Sequence, residues 1–349
     1  MPELRILVVS HSLVHLRQQL FFRKWVEKKE DTTILMVGPR YWHNMGIVDH
    51  SDKRFEIRGL PCRNDGMLQY YTLTGLYELA ERFKPNIVYS QSELWASQSA
   101  NSLDIARALK AKSVLFVWEN ILPPKSDKEK FLLDNYDLIF YGNEDAGKLL
   151  RDTTLKPLYR KVPQVGVDTD LFKPMNVMKK YNVVYAGRNV PEKGVEMISK
   201  ACSALGLSFN VVTGIDYKDV PKAMNEGFIF VSCPVDTPLW KEQSGSYTNL
   251  EAMACGIPVI STKSGAIPEY LEDNALLIKQ NSMIELTEAL QKLISVPGEI
   301  DKLGDKGRRH VLKKYSNEAV VEEQWKAISK LLPKASNDSP SENTSDLKK

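Results

Sequence analysis

Cysteine is scarce, and what there is stands apart. The 349 residues hold four, Cys62, Cys202, Cys233 and Cys255, with no CxxC pair and no neighbouring histidine pair. That pattern argues for buried thiols in a reducing compartment, against a disulfide framework or a zinc module. Long apolar runs are missing too: no stretch approaches the roughly 20 residues of a bilayer span. The N-terminus enters a strand pattern at once, without a charged-apolar-small leader. Neither sign of charge dominates. Lys and Arg number 47 against 44 Asp and Glu, a formal net charge of +3, and no basic run is long enough to suggest a nucleic-acid partner. A GxGxxG turn after the first strand is also lacking. Ser10-His11-Ser12 stands there instead, which argues against a dinucleotide dehydrogenase. His11 and His15 lie four apart without a third ligand, so they give no metal site. A cytoplasmic protein without an essential metal or resident cofactor is expected.

What is there is alternation. A chain of this length can build two proper cores. Short apolar runs typical of buried parallel strands fall at Arg5–Ser10, Thr33–Gly38, Pro85–Ser90, Ser113–Val117 and Asp137–Tyr141. Others follow at Asn182–Gly187, Leu207–Gly214, Gly227–Ser232 and Val259–Ile260, and helical patterns cover Leu73–Phe83, Glu144–Leu150, Met283–Ile294, Asp301–Tyr315 and Asn317–Leu332. The expected fold class is α/β with two Rossmann-like halves, residues 1–174 and 175–318. A helix over 319–333 follows, then a polar tail over 334–349 too poor in apolar residues to fold. Near the N-terminus, Leu13, Leu16, Leu20 and Phe21 recur at helical spacing among Arg17, Arg23, Lys24, Lys28 and Lys29. This basic helix is either the charged outer face of a helix lying on a sheet, or a face that meets acidic lipid headgroups at the inner membrane surface. In open α/β sheets ligands lie beyond the strand C-termini. In the first half that singles out Ser10, Arg40, Glu93, Glu119 and Asn143. Each alone is as readily a helix cap or a loop residue; together they point to a cleft.

The chain is organised around Trp240–Ser261. A Gly/Ser-rich loop opens onto a helix from about Tyr247 to Cys255, which Gly256 ends and Pro258 forbids to continue. The loop and helix start leave N–H groups unpaired at the positive end of the dipole, a ready place for phosphate. Glu251 lies in the same helix. A carboxylate there cannot bind phosphate, but it can accept hydrogen bonds from a ribose diol.

The run LEAMACGIPVI, Leu250 to Ile260, resembles the signature of the retaining family 4 glycosyltransferases, whose two Rossmann-like domains face each other in the GT-B arrangement. The resemblance extends to Pro39–Trp42, Glu93–Ser97 and Trp118–Asn120 in the first half, and to Val162–Pro174 between the halves. It implies a second domain that binds a nucleotide-sugar donor, a first domain that takes the acceptor, and a last helix that returns to the first domain. The donor would lie against Gly187, Gly214, Gly245, Ser246, Tyr247 and Thr248, with Glu251 holding the ribose and Arg188 and Lys193 the diphosphate. Fixed cations there stabilise the leaving diphosphate more than the ground state. Ser10, Arg40, Glu93 and Asn143 become acceptor-side candidates; the acceptor could be a sugar, a lipid-linked or a small molecule.

Two places depart from the family pattern. The first Glu of its Glu-x7-Glu motif should stand eight residues before Glu251, where this chain has Gln243, with Glu242 one further back. Trp240-Lys-Glu-Gln favours Glu242 as the functional carboxylate, the extra residue being taken up by the Gly/Ser loop; strict counting favours Gln243. A His often found at the Trp118–Asn120 strand end is absent, and Glu119 is the candidate substitute. The expected function is retaining, metal-independent sugar transfer in glycan, glycolipid or glycoconjugate synthesis. An epimerase of the same fold and a non-catalytic subunit with a degenerate site are the alternatives.

Overall fold

The computed structural model describes residues 3–47, 51–123, 125–153 and 159–333. Two parallel sheets account for the apolar runs. The first is built from β1 (Leu4–Ser10), β2 (Thr32–Pro39), β3 (Phe55–Leu60), β4 (Ile87–Gln91), β5 (Lys112–Val117), β6 (Leu138–Tyr141) and β7 (Tyr159–Lys161), in the order β7-β6-β5-β4-β1-β2-β3. The second contains β8 (Tyr181–Ala186), β9 (Phe209–Val212), β10 (Gly227–Ser232), β11 (Val259–Thr262) and β12 (Leu276–Ile278), in the order β9-β8-β10-β11-β12. In each sheet the chain leaves its first strand to one side and later resumes on the other. Crevices therefore open between β1 and β4 and between β8 and β10, where α/β sheets bind ligands.

Strands buried on both faces are what such continuous apolar runs require. Ile6, Val8, Ile34 and Met36 face a core shared with Phe21, Phe22 and Trp25 of the helix Leu16–Lys28. The last long helix, Asn317–Ile328, adds Val320, Val321 and Ile328 to that same core. The C-terminal helix thus returns to the first sheet. Gln324 pins it there, donating to the carbonyls of Pro163 at 2.8 Å and Gln164 at 3.0 Å.

Three elements differ from expectation or add to it. The helix expected from Leu73 begins at Leu76: Thr72–Leu73 pairs with Cys62–Arg63 as a short hairpin, and Gly75, at φ 83°, turns the chain into the helix. β3 carries no continuous apolar run, because Glu56 and Arg58 alternate with its apolar residues on an edge strand. The basic helix near the N-terminus packs its apolar face on the first sheet, and most of its cations are paired within the chain. Arg23 pairs with Asp52, Lys24 with Glu27, Asp170 and Glu318, and Lys29 with Glu322. No helix among the described residues is long and apolar enough to cross a membrane. The 334–349 tail lies outside the described residues.

Candidate active site

The second sheet's crevice is the starting point. β8 ends at Ala186 and β10 at Ser232, and beyond them lies a cavity of about 270 Å³ lined by Gly187, Arg188, Lys193, Glu242, Ser246 and Thr248, among others. Local chemistry fixes the loop that forms its floor. The helix Tyr247–Ala254 is tied to both neighbouring strands through Asn249, whose Oδ1 accepts from Ser232 Oγ at 2.7 Å and whose Nδ2 donates to Ser261 Oγ at 3.1 Å. The same amide donates to the Gly245 carbonyl at 3.0 Å, holding the Gly/Ser loop against the helix start. Ser246 sits at φ 55°, a conformation that turns the loop into the helix at the expense of local strain.

Glu242 is buried, and its carboxylate pairs with the Lys193 ammonium. Trp240 covers the same ammonium, its ring centroid 4.4 Å away. The Glu242 carbonyl accepts from Ala266 N–H at 2.9 Å and from Asn120 Nδ2 at 3.1 Å. Gly265, at φ 44°, packs so closely on this backbone that any side chain there would collide with the Glu242 carbonyl. Glu242 lines a second cavity as well, of about 220 Å³, together with Trp118, Gln164, Gln243 and Tyr270. Gln243 lines this second cavity and not the first. Its carbonyl accepts from Asn143 Nδ2 at 3.1 Å. Arg188 is exposed at the rim of the first.

Glu251 is almost wholly buried. Its Oε1 accepts from Arg17 Nε at 2.9 Å, Arg17 Nη2 at 2.7 Å and the Tyr217 hydroxyl at 2.6 Å. Burial, and then the charge of Glu251, hold the Tyr217 phenol well above its usual pKa, so it remains a donor. Burial works against the Arg17 charge; Glu251 and Tyr217 outweigh it and raise its pKa. Neither Arg17 nor Tyr217 was legible as a site residue. Arg17 stands 234 positions before Glu251, as one of several basic residues on a helix whose pattern speaks only of packing.

The two sheets' loops are closed on each other. Asn143 caps the helix Glu144–Arg151, accepting from Ala146 N–H at 2.8 Å, and its amide reaches across to Gln243. Tyr270 donates to the Gly142 carbonyl at 2.5 Å, and Lys241 pairs with Asp145. Asn143 therefore lies at the junction with the second sheet's loop. The other first-half candidates lie elsewhere. Ser10 is buried and caps the turn His11–Val14. Arg40 is exposed and outside both cleft cavities. Glu119 points away from the cleft: its Oε1 accepts from the N–H groups of Ile121 and Leu122, closing its own turn. Strand alternation explains this. Phe116 and Trp118 face the cleft, whereas Val117 and Glu119 line a separate cavity of about 330 Å³ that also holds Glu93. Burial pushes the Glu93 carboxyl up to about 8, although it accepts from Trp118 N–H at 3.0 Å. Gly214, at φ 68°, is exposed at the turn after β9, beside a cavity of about 650 Å³ lined by His15, Arg17, Ile215 and Tyr217.

Two parallel-sheet halves joined in this way are the GT-B fold. Over 96% of its length the chain superposes on a glycosyltransferase from Rickettsia africae, covering all of that chain with a TM-score of 0.74 and 15% identity. The Anabaena protein HepE in complex with UDP-glucose gives a TM-score of 0.64 at 12% identity, covering 93% of this chain and 99% of that one. Residues 205–310, which include the organising loop and helix, match the family model described as glycosyl transferases group 1. In sequence, 212 residues are 26% identical to an MMP alpha-(1->4)-mannosyltransferase of Mycolicibacterium hassiacum, a match spanning 53% of this chain and 52% of that protein. The chain thus spans about half the length of that curated relative.

Proposed function

We propose that the protein is a retaining glycosyltransferase that moves a sugar from a nucleotide-sugar donor to an acceptor held by the first domain, in glycan, glycolipid or glycoconjugate synthesis. The observation that carries this reading is the set around one cavity: Arg188 and Lys193 as cations, Glu242 beside Lys193, the loop N–H groups of Ser246 to Thr248, and Glu251 buried behind the lining residue Arg17. In this reading the donor diphosphate lies on Arg188 and Lys193, whose charges stabilise it as it leaves. The donor ribose is held by Glu251, and Glu242 faces the sugar. A carboxylate at that position favours the positive charge that develops at the anomeric carbon, which Gln243 could not do. The UDP-glucose bound by HepE supports a uridine nucleotide as the first donor to try, and the mannosyltransferase match supports hexosyl transfer. The reading requires no essential metal, so activity should survive a chelator; loss restored by manganese would remove that part of it.

The test is a thermal-shift screen against UDP, GDP, ADP and their sugar conjugates. A ligand that binds only the native state raises the melting point by mass action. A concentration-dependent rise with one base, lost in Lys193→Ala, supports the donor site. No rise with any of them contradicts it.

A further inference from the structure

Three donors converge on Glu251 Oε1, two from Arg17 and one from Tyr217, while the buried Oε2 meets no donor among the described residues. The guanidinium is held between two rings, 5.2 Å from the centroid of Tyr217 and 4.5 Å from that of Tyr247. It is not sealed in: the Arg17 side chain keeps 24% of its surface exposed, against 1% for Glu251. That exposed part lines two cavities at once. On one side is the 270 Å³ cavity with Arg188 and Lys193, and on the other the 650 Å³ cavity with Ile215 and Tyr217. Arg17 therefore stands at the joint between the phosphate side and the opposite side of the cleft.

Charge in the first cavity gives this position a consequence. Lys193 is compensated by Glu242 and Arg17 by Glu251, which leaves Arg188 as the cation there with no carboxylate partner among the described residues. A single uncompensated charge is a poor match for a diphosphate, which carries two or more negative charges. We propose that Arg17 is a diphosphate-binding residue delivered by the first domain, held on Glu251 in this conformation and passed to the diphosphate when a ribose diol takes the carboxylate. The proposal rests on the reading of Glu251 as the ribose acceptor. The exchange conserves pairing. Glu251 trades a guanidinium for two hydroxyls and gains a donor for Oε2; Arg17 trades a carboxylate for a phosphate oxygen, the anion its planar fork fits equally well. A nucleoside without phosphates would make the first trade only and strand a half-buried guanidinium. The phosphates are what make ribose binding favourable, so the site rejects nucleosides.

Calorimetric titration with uridine, UDP and 2′-deoxy-UDP separates the outcomes, with GDP and ADP and their nucleosides substituted if UDP does not bind. For the wild type, the diphosphate should bind at least roughly a hundredfold tighter than the nucleoside. In Arg17→Met the nucleoside should bind more tightly than to wild type and the diphosphate roughly tenfold more weakly, so the ratio collapses from both ends. Arg17→Lys, which keeps the charge and loses the fork, should fall between, and serves if the Met variant does not fold. Unchanged or equally weakened binding of both ligands to the Arg17 variants would overturn the proposal and leave Arg17 a structural contact. Glu251→Gln reports on the underlying reading: it should narrow the preference for UDP over 2′-deoxy-UDP. If that preference is unaffected in Glu251→Gln, the ribose assignment fails whatever Arg17 does. No binding of any of the three diphosphates to the wild type overturns both.

Discussion

The ammonium of Lys193 lies between the carboxylate of Glu242 and the face of Trp240, 4.4 Å from the ring centroid. Lys193 comes from the turn after β8 and Glu242 from the loop after β10, so the contact joins the two sides of the crevice where the second sheet changes direction. Gly194, at φ 65°, lets that turn pass directly over the Cys233 carbonyl, where a side chain would collide. The pair therefore depends on a glycine as much as on its charges.

The pair separates the two carboxylate registers. Glu242→Gln should lose about a hundredfold or more in kcat while leaving nucleotide affinity within a few-fold, since the charge acts on the transition state. Gln243→Ala should mainly raise KM, because it removes a side chain lining the second cavity while its backbone contact with Asn143 survives. Steady-state kinetics of both variants decide it. A Glu242→Gln enzyme at full rate beside a nearly inactive Gln243→Ala would restore the strict register.

Glu251→Ala removes the acceptor of the ribose hydroxyls and should weaken nucleotide binding by about 1.5–3 kcal/mol. It also leaves Arg17 without its carboxylate, so the melting temperature of the ligand-free protein should fall as well. Calorimetry and thermal melts read the two effects separately. A folded variant with unchanged nucleotide affinity would remove Glu251 from the donor site.

Glu93 gives a pH dependence of definite sign. Its carboxyl is pushed up by burial from 4.5 to about 8, so the native state binds a proton that the unfolded chain releases. Its contribution is most favourable below about pH 4.5 and is lost as the pH rises toward 8, with a slope of at most about 1.4 kcal/mol per pH unit. Denaturant titrations between pH 5 and 9 should show that fall, and Glu93→Gln should flatten it. An identical slope in the variant would mean that Glu93 is ionised in the native state.

The returning C-terminal helix carries a stability prediction. Ile328 is fully buried in the core of the first sheet, together with Val320 and Val321. Ile328→Ala should cost about 2–5 kcal/mol, read as a lower denaturation midpoint. A loss below about 1 kcal/mol would show that the end of this helix is not part of that core.

The α/β class and the strand alternation were legible because period and length are local properties. Val259–Ile260 needs only its own neighbours to read as a buried strand, and β11 forms there. The Gly/Ser loop and the helix at Tyr247 were legible for the same reason, through Gly256 and Pro258. β3 was not: Glu56 and Arg58 hide an edge strand whose identity comes from pairing with β2. Glu119 shows the limit for side chains. It was placed at the right strand end, but whether it faces the cleft depends on pleat phase, and Trp118 has that face. Arg17 and Tyr217 were out of reach because their meaning is a contact with Glu251 across long sequence separations.

The proposed reaction is sugar transfer with retention from a nucleotide donor. The most direct measurement incubates the protein with UDP-, GDP- and ADP-sugars and an acceptor panel, follows free nucleoside diphosphate, and determines the anomeric configuration of the product by proton NMR. The expected results are acceptor-dependent diphosphate release with one donor, a product with the donor's own anomeric configuration, and loss of both in Lys193→Ala. An inverted product, or a donor converted to another nucleotide sugar with no transfer to any acceptor, would contradict it.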